Sequence, residues 1–167
     1  KAKEISSLYT LADVINAGCR DGELDVRGIS HRGYFASITN FKSYHDANMD
    51  LIDYKTATDL FHDNWPIYTR TNNSCPTHYF DTANVSNSVI SNGSMIEGTV
   101  ENSIVGRGCT IKKGAVIKNS IVMQSSVIEE KAAFINGIAD KDVTITKNRT
   151  ITGSAEYPVF ITKGATV

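Results

Sequence analysis

Residues Val85 to Ile128 read VSNSVISNGSMIEGTVENSIVGRGCTIKKGAVIKNSIVMQSSVI, and aliphatic side chains return along this stretch in steps of six. Ile90 and Ile96 begin the series. Val105, Ile111, Ile117 and Met123 continue it, followed four residues later by Cys109, Ala115, Ile121 and Val127. Neither the alternation of a half-buried strand nor the period of a helix produces such steps. Gly93, Gly108 and Gly114 fall three places after Ile90, Val105 and Ile111, where a chain that turns sharply needs a residue tolerant of positive φ.

A second periodicity lies over the first. Asn87-Ser88-Val89-Ile90, Asn102-Ser103-Ile104-Val105 and Asn119-Ser120-Ile121-Val122 recur after 15 and then 17 residues, close to three hexads. Three short strands and three corners make a triangular coil, and stacked coils cover one another's inward Ile and Val while their backbones pair. The predicted fold class is mainly β, a parallel β-helix of hexapeptide repeats. Antiparallel hairpins compete, because Asn92-Gly93 and Asn136-Gly137 are favoured two-residue turns, but hairpins predict alternation and give no reason for sixes.

The chain has 167 residues, 17 basic and 18 acidic, for a net charge of -1. That length buries roughly two thirds of the unfolded surface without staples. Lys and Arg are scattered, which argues against a nucleic-acid footprint or a polybasic membrane anchor. Small molecules or proteins are the expected partners. Cys19, Cys75 and Cys109 are odd in number and lack Cys-x-x-Cys spacing, so neither a disulfide framework nor a zinc site is expected and a cytoplasmic, reducing location fits. No apolar run reaches the ~20 residues of a membrane span. The chain opens in mid-pattern at Lys1 and reads as the C-terminal piece of something longer.

Ahead of the repeat, Leu8, Leu11, Ala12, Val14 and Ile15 form a helical stripe that Gly18 is placed to end. Leu24 to Ile29 and Gly33 to Ile38 read as two strands that can pair. Thr39 or Asn40 caps a helix with Phe41, Tyr44, Asn48, Leu51 and Ile52 on one side and Lys42, His45, Asp46 and Asp50 largely facing water. The polar segment Thr69 to Pro76 follows, and a boundary near Asp63 divides the chain into 1–63 and 64–167. Past Ile128 the charged Glu129-Glu130-Lys131 and Lys141-Asp142 interrupt the apolar beats, so the solenoid is expected to finish there, with Tyr157 to Thr162 as a closing strand.

Chemistry is sparse. His31, His45, His62 and His78 precede the repeat, and none has a partner at metal-ligand spacing. Asp13, Asp21, Asp25, Asp46 and Asp53 show no pairing for acid–base work. No nucleophile elbow, phosphate loop or dinucleotide fingerprint is present. No catalytic residue and no metal site is assigned, and no cofactor is expected in this stretch.

Gly33-Tyr34-Phe35-Ala36-Ser37-Ile38-Thr39-Asn40, running into Ala47-Asn48-Met49-Asp50-Leu51, resembles the Gly-Tyr-Trp-x-Asp segment that ends the catalytic domain of glucose-1-phosphate adenylyltransferase (ADP-glucose pyrophosphorylase). Trp65-Pro66-Ile67-Tyr68-Thr69 and the Asn-Ser segments are similar to the linker and β-helix of that family. The resemblance implies a left-handed β-helix at 64–167, carrying subunit contacts and part of an allosteric surface, after a small α/β remnant of the nucleotidyltransferase domain at 1–63. It marks Phe35 and Ser37 as the remnant of a substrate site. Where the family's carboxylate helps hold the metal on the nucleotide phosphates, this chain carries Ser37, and that departure resembles the GlgD-type regulatory subunit of glycogen biosynthesis. Implied partners are a catalytic ADP-glucose pyrophosphorylase subunit, which would use Mg2+, in a homo- or hetero-oligomer, and a sugar-phosphate effector. Ile161-Thr162-Lys163 is similar to the family's Val-Thr-Arg, which makes Lys163 the candidate effector contact. Two other functions compete. One is a hexapeptide-repeat acyltransferase, disfavoured because no histidine follows His78; the other is a purely structural β-helix oligomerisation module.

Overall fold

The computed structural model describes residues 10–62, 64, 66–68 and 71–167. The chain divides into two compact units, one ending at Arg32 and one running from Gly33 to Val167.

In the first unit, α1 (Leu11–Arg20) is opened by a reciprocal cap between Thr10 and Asp13. Leu8 lies outside the described residues. Gly18 does not end this helix. The left-handed residue is Gly22 (φ 72°), and the end is closed by Glu23 N–H donating to Gly18 O (2.9 Å) and Gly22 N–H to Cys19 O (3.3 Å), a Schellman closure. Gly18 is instead buried beneath Leu24, whose Cδ1 lies 2.6 Å from where a Cβ would stand. Leu24 to Ile29 forms no strand, and Leu24, Val26 and Ile29 are all exposed. Alternation marks a face but does not supply the second strand that a ladder requires.

The second unit begins with Gly33 to Ile38, which also makes no ladder. The Tyr34 hydroxyl reaches Asp50 Oδ2 (3.1 Å) and Ala47 O (3.3 Å) on the helix that follows. Desolvation, then the Asp50 carboxylate, raises the Tyr34 phenol above its ordinary pKa. That helix, α2 (Phe41–Asp50), is capped by Asn40 and Ser43. A third, α3 (Tyr54–Leu60), begins at Asp53, whose side chain accepts from Thr56 N–H.

The remainder is the parallel β-helix, so the hairpin alternative is excluded: every strand pair is parallel. The first sheet contains β1 (His78–Tyr79), β4 (Met95–Ile96), β7 (Thr110–Ile111), β10 (Val127–Ile128) and β13 (Thr144–Ile145). The second contains β2 (Asn84–Ser86), β5 (Thr99–Glu101), β8 (Val116–Lys118), β11 (Ala133–Ile135) and β14 (Thr150–Thr152). The third contains β3 (Val89–Ile90), β6 (Ile104–Val105), β9 (Ile121–Val122), β12 (Gly137–Ala139) and β15 (Val159–Ile161). Ile96, Val100, Val105, Ile111, Ile117, Val122, Ile128, Phe134, Ala139 and Ile145 point inward and are fully buried.

The inward series departs from strict sixes at the passage from the second sheet to the third in every coil, and once more in the 15-residue coil, where Val100 follows Ile96 after four residues. Ile117 is followed inside by Val122, five residues on, while Met123 is only partly buried. The cause is the corner between the second and third sheets, where only Asn119-Ser120 separates β8 from β9. Asn87, Asn102, Asn119 and Asn136 take left-handed φ of 41, 44, 46 and 50°, a conformation Asn tolerates better than most residues. Their amides stack: Asn87 Nδ2 donates to Asn102 Oδ1 and Asn102 Nδ2 to Asn119 Oδ1, both at 2.8 Å. Beside them, Ser103 N–H donates to Ser88 Oγ, Ser120 N–H to Ser103 Oγ and Gly137 N–H to Ser120 Oγ, each at 3.1 Å. Each Asn-Ser pair thus serves as corner and as interlayer bond.

The coil does not finish after Ile128. β11 to β15 continue the stack to Ile161, and Thr146 N–H donates to Val167 O (2.7 Å) beyond it. The charges expected to interrupt it stand at corners and outer faces, where Lys112 pairs with Glu129 (2.9 Å) and Lys147 with Glu130 (2.6 Å). Tyr157 to Thr162 supplies the closing strand β15, paired with β12.

Candidate functional site

The outward face of the third sheet is one apolar row, Val89, Ile104, Ile121, Ile138 and Phe160, in register across the coils. Val89 is 43 % exposed, whereas Ile121 and Ile138 are buried. The helix α2 lies beside the buried part. Its first residue, Phe41, stacks on Phe160 with ring centroids 4.5 Å apart. One turn on, His45 does not face water: it is buried, with Nε2 2.8 Å from Asn119 O. A carbonyl only accepts, so Nε2 carries the proton in this contact. Nδ1 faces the Asp46 carboxylate at 3.7 Å.

Among the described residues, three cavities border α2; one of about 450 Å³ lies between its first residues, Phe41 and Lys42, and Glu156 to Pro158, and the other two lie against the third sheet. The larger of these, about 600 Å³, lies between the start of α2 and the coil, with Ile38, Phe41, Tyr44, Ile138, Asp140 and Phe160 among its walls. The other, about 330 Å³, runs along the opposite flank and is lined by Tyr44, Asn48, Arg107, Gln124 and Lys141 over a floor that includes Ile104 and Met123. Tyr44 and Met123 border both.

The residues singled out from sequence stand around this junction without meeting. Phe35 is 79 % exposed and Ser37 is exposed, both in the stretch that leads into the larger cavity at Ile38. Lys163 follows β15 on the other wall, exposed, with its nearest carboxylate, Asp142, at 3.9 Å. Among the described residues no hydrogen bond or ion pair joins Phe35 or Ser37 to Lys163. The last histidine, His78, sits on β1 with its ring edge-on to Phe80 at 4.5 Å. No group of three or more His, Cys, Asp and Glu that could hold a metal ion occurs among the described residues. Among them, no helix is long and apolar enough to cross a membrane. Arg107, Gln124 and Lys141 are not singled out by sequence motifs; their common spacing of 17 residues is the signal that finds them once the coil length is known.

A family model described as "GlmU-like, C-terminal hexapeptide" matches residues 76–157. Glycogen biosynthesis protein GlgD of Bacillus subtilis is 39% identical over 134 residues, covering 80% of this chain and 39% of that protein. Glucose-1-phosphate adenylyltransferase of Geobacillus stearothermophilus is 42% identical over 84 residues, 50% of this chain and 22% of that enzyme. The enzyme of Streptomyces avermitilis is 36% identical over 85 residues, 51% of this chain and 21% of its own length. The chain therefore spans about two fifths of that GlgD and about a fifth of those enzymes. Residues 76–157 thus match the GlmU-like C-terminal hexapeptide family model, and the chain is similar to GlgD and to glucose-1-phosphate adenylyltransferases.

Proposed function

We propose that this chain is the assembly and regulatory region of an ADP-glucose pyrophosphorylase subunit in glycogen biosynthesis, in a protein that makes little ADP-glucose by itself. The observation that carries the reading is the reach of the GlgD similarity, which covers 80% of the chain and so includes sequence outside the coil. Catalytic weakness rests on Ser37. Nucleotidyl transfer from ATP to glucose 1-phosphate, releasing diphosphate, spreads negative charge over phosphate oxygens, and a carboxylate-held Mg2+ is the usual means of meeting it. A neutral hydroxyl holds such a metal poorly. The partner in this reading is a catalytic subunit that supplies the carboxylate, in a homo- or hetero-oligomer. Lys163 is the proposed contact for a sugar-phosphate effector; the one carboxylate within 4.0 Å of it among the described residues, Asp142 at 3.9 Å and exposed, is too distant and too solvated to compete strongly.

The test assays the protein that carries this chain, a catalytic subunit and their mixture. Loss of one electrostatic contact to the transition state corresponds to about a hundred- to a thousand-fold in rate, so the protein alone is expected to be slower by that factor and to change its partner's kinetics on mixing. Turnover as fast as the catalytic subunit, or a mixture equal to the sum of its parts, would overturn the reading.

A further inference from the structure

The chain contains two Asn-Gly pairs, and the fold treats them in opposite ways. Asn136-Gly137 stands at the corner between the second and third sheets and runs into β12. Asn136 N–H donates to Lys118 O (3.0 Å) and its Nδ2 to Gly153 O (3.2 Å), while its carbonyl accepts from Val159 N–H (3.1 Å). Gly137 is buried, and its N–H donates to Ser120 Oγ (3.1 Å). Both groups of the peptide that links this pair are therefore bonded, and so is the side-chain amide.

Asn92-Gly93 occupies the corner between the third and first sheets, after β3 ends at Ile90 and before β4 begins at Met95. Asn92 is exposed. Its carbonyl accepts from Gly108 N–H (3.2 Å), but among the described residues neither its side-chain amide nor the Gly93 N–H makes a hydrogen bond. Gly93 has no Cβ to obstruct the approach of its nitrogen to a neighbouring group, and it holds a left-handed φ of 79° without strain. A cavity of about 280 Å³ opens at this corner, with Ser74, Gly93, Arg107 and Gly108 among its walls. Ser74 Oγ is buried there with no hydrogen-bond partner among the described residues, which makes it a ready contact for an entering water.

We propose that Asn92 is a site of spontaneous deamidation and that the fold shields Asn136 from the same reaction. The Gly93 nitrogen attacks Asn92 Cγ, the new N–C bond closes a five-membered succinimide, and Nδ2 leaves as ammonia with the proton that Gly93 gives up. Water then adds to either carbonyl of the ring and opens it to aspartate or isoaspartate, so that one amide and one water become one acid and one ammonia. Either product places a negative charge at a corner that Arg107 occupies one coil on. The isoaspartyl form also reroutes the main chain through Cβ and Cγ, and the carbonyl that accepts from Gly108 N–H becomes a free carboxylate. Asn87 and Asn102 are guarded in another way, because their amides donate along the stack.

Folded and urea-unfolded samples of the 167-residue chain, incubated side by side at mildly alkaline pH, test this by peptide mapping with mass spectrometry. Enzymatic carboxyl methylation reads the isoaspartate. Dividing each site's rate in the folded chain by its rate in urea cancels the influence of neighbouring sequence. Asn136 must open locally before it reacts, and the side-chain bond and the Gly137 bond that it loses correspond together to about tenfold or more. The ratio at Asn92 is therefore expected to exceed that at Asn136 by at least this factor. Asn92→Gln, at an exposed position, should keep the parent's circular dichroism and remove most of the isoaspartate formed in the folded chain. A gap between the two ratios smaller than that factor, or an undiminished isoaspartate yield in folded Asn92→Gln, overturns the site.

Discussion

Residues 24–29 and residues 99–101 each set a valine between polar neighbours, Val26 between Asp25 and Arg27 and Val100 between Thr99 and Glu101, and only the second is a strand. Val100 is fully buried between Val85 and Ile117 of adjacent coils, whereas Val26 is 56 % exposed and pairs with nothing regular. The difference lies in where the hydrogen-bonding partner comes from. In a solenoid the partner strand is the same sequence one coil later, so a repeat specifies both a strand and its neighbour. A solitary alternation specifies a face alone, and its backbone stays in water.

The sharpest way to break this comparison is a charge placed on adjacent residues. Val122→Asp would bury an unpaired carboxylate in the coil and is expected to cost roughly 4 kcal/mol or more; Met123→Asp, one residue on and partly exposed, should stay within about 1 kcal/mol. Urea midpoints measure both, and the reverse order would restore a strict six-residue register. A second test separates the regions physically. We propose that residues 64–167 fold without 1–63, because every fully buried inward side chain lies within them. Removing α2 uncovers Ile121 and Ile138, each worth about 1.5–3 kcal/mol at full burial, so the fragment should be less stable yet still unfold cooperatively. A fragment without a cooperative transition would make α2 part of the coil's minimum.

The smallest effect belongs to the helices. Hydrogen bonds from the Thr56 backbone and hydroxyl hold the Asp53 carboxyl below its ordinary 3.8. The folded value is depressed, so this stabilisation is present above pH ~3.8 and is lost as pH falls through the lower folded value. The Thr56 amide shift should titrate in that acid window in the parent and not in Asp53→Asn. A Thr56 shift that is flat in the parent would remove the cap.

Much of the coil was legible because its core and its corners are written in different residues. Ile and Val mark the inside, and the repeated Asn-Ser marks one corner, though the length of that corner was not: Ile121, Val122 and Met123 are consecutive apolar residues, and composition cannot say which faces in. Charges after Ile128 looked like an ending because sequence shows charge and not direction. His45 looked solvated for the same reason, since its acceptor, Asn119 O, lies 74 residues away. The candidate site is less legible still. Its walls come from α2 and from three coils, and Arg107, Gln124 and Lys141 share a column only once 15- and 17-residue coils have been told apart.

Cys109 occupies the place that Ser94 and Ser126 hold in neighbouring coils, its N–H donating to Ser94 Oγ (3.2 Å) and its thiol donating to Met123 O (3.2 Å). Burial pushes that thiol above its ordinary pKa, so in the closed stack it is both unreachable and nearly all protonated. Cys19 and Cys75 are exposed. The molecule thus carries its own stopwatch: two thiols open to alkylation from the start, and a third that reacts only when the layer at Cys109 parts from its neighbours, so that its labelling rate counts openings of the stack.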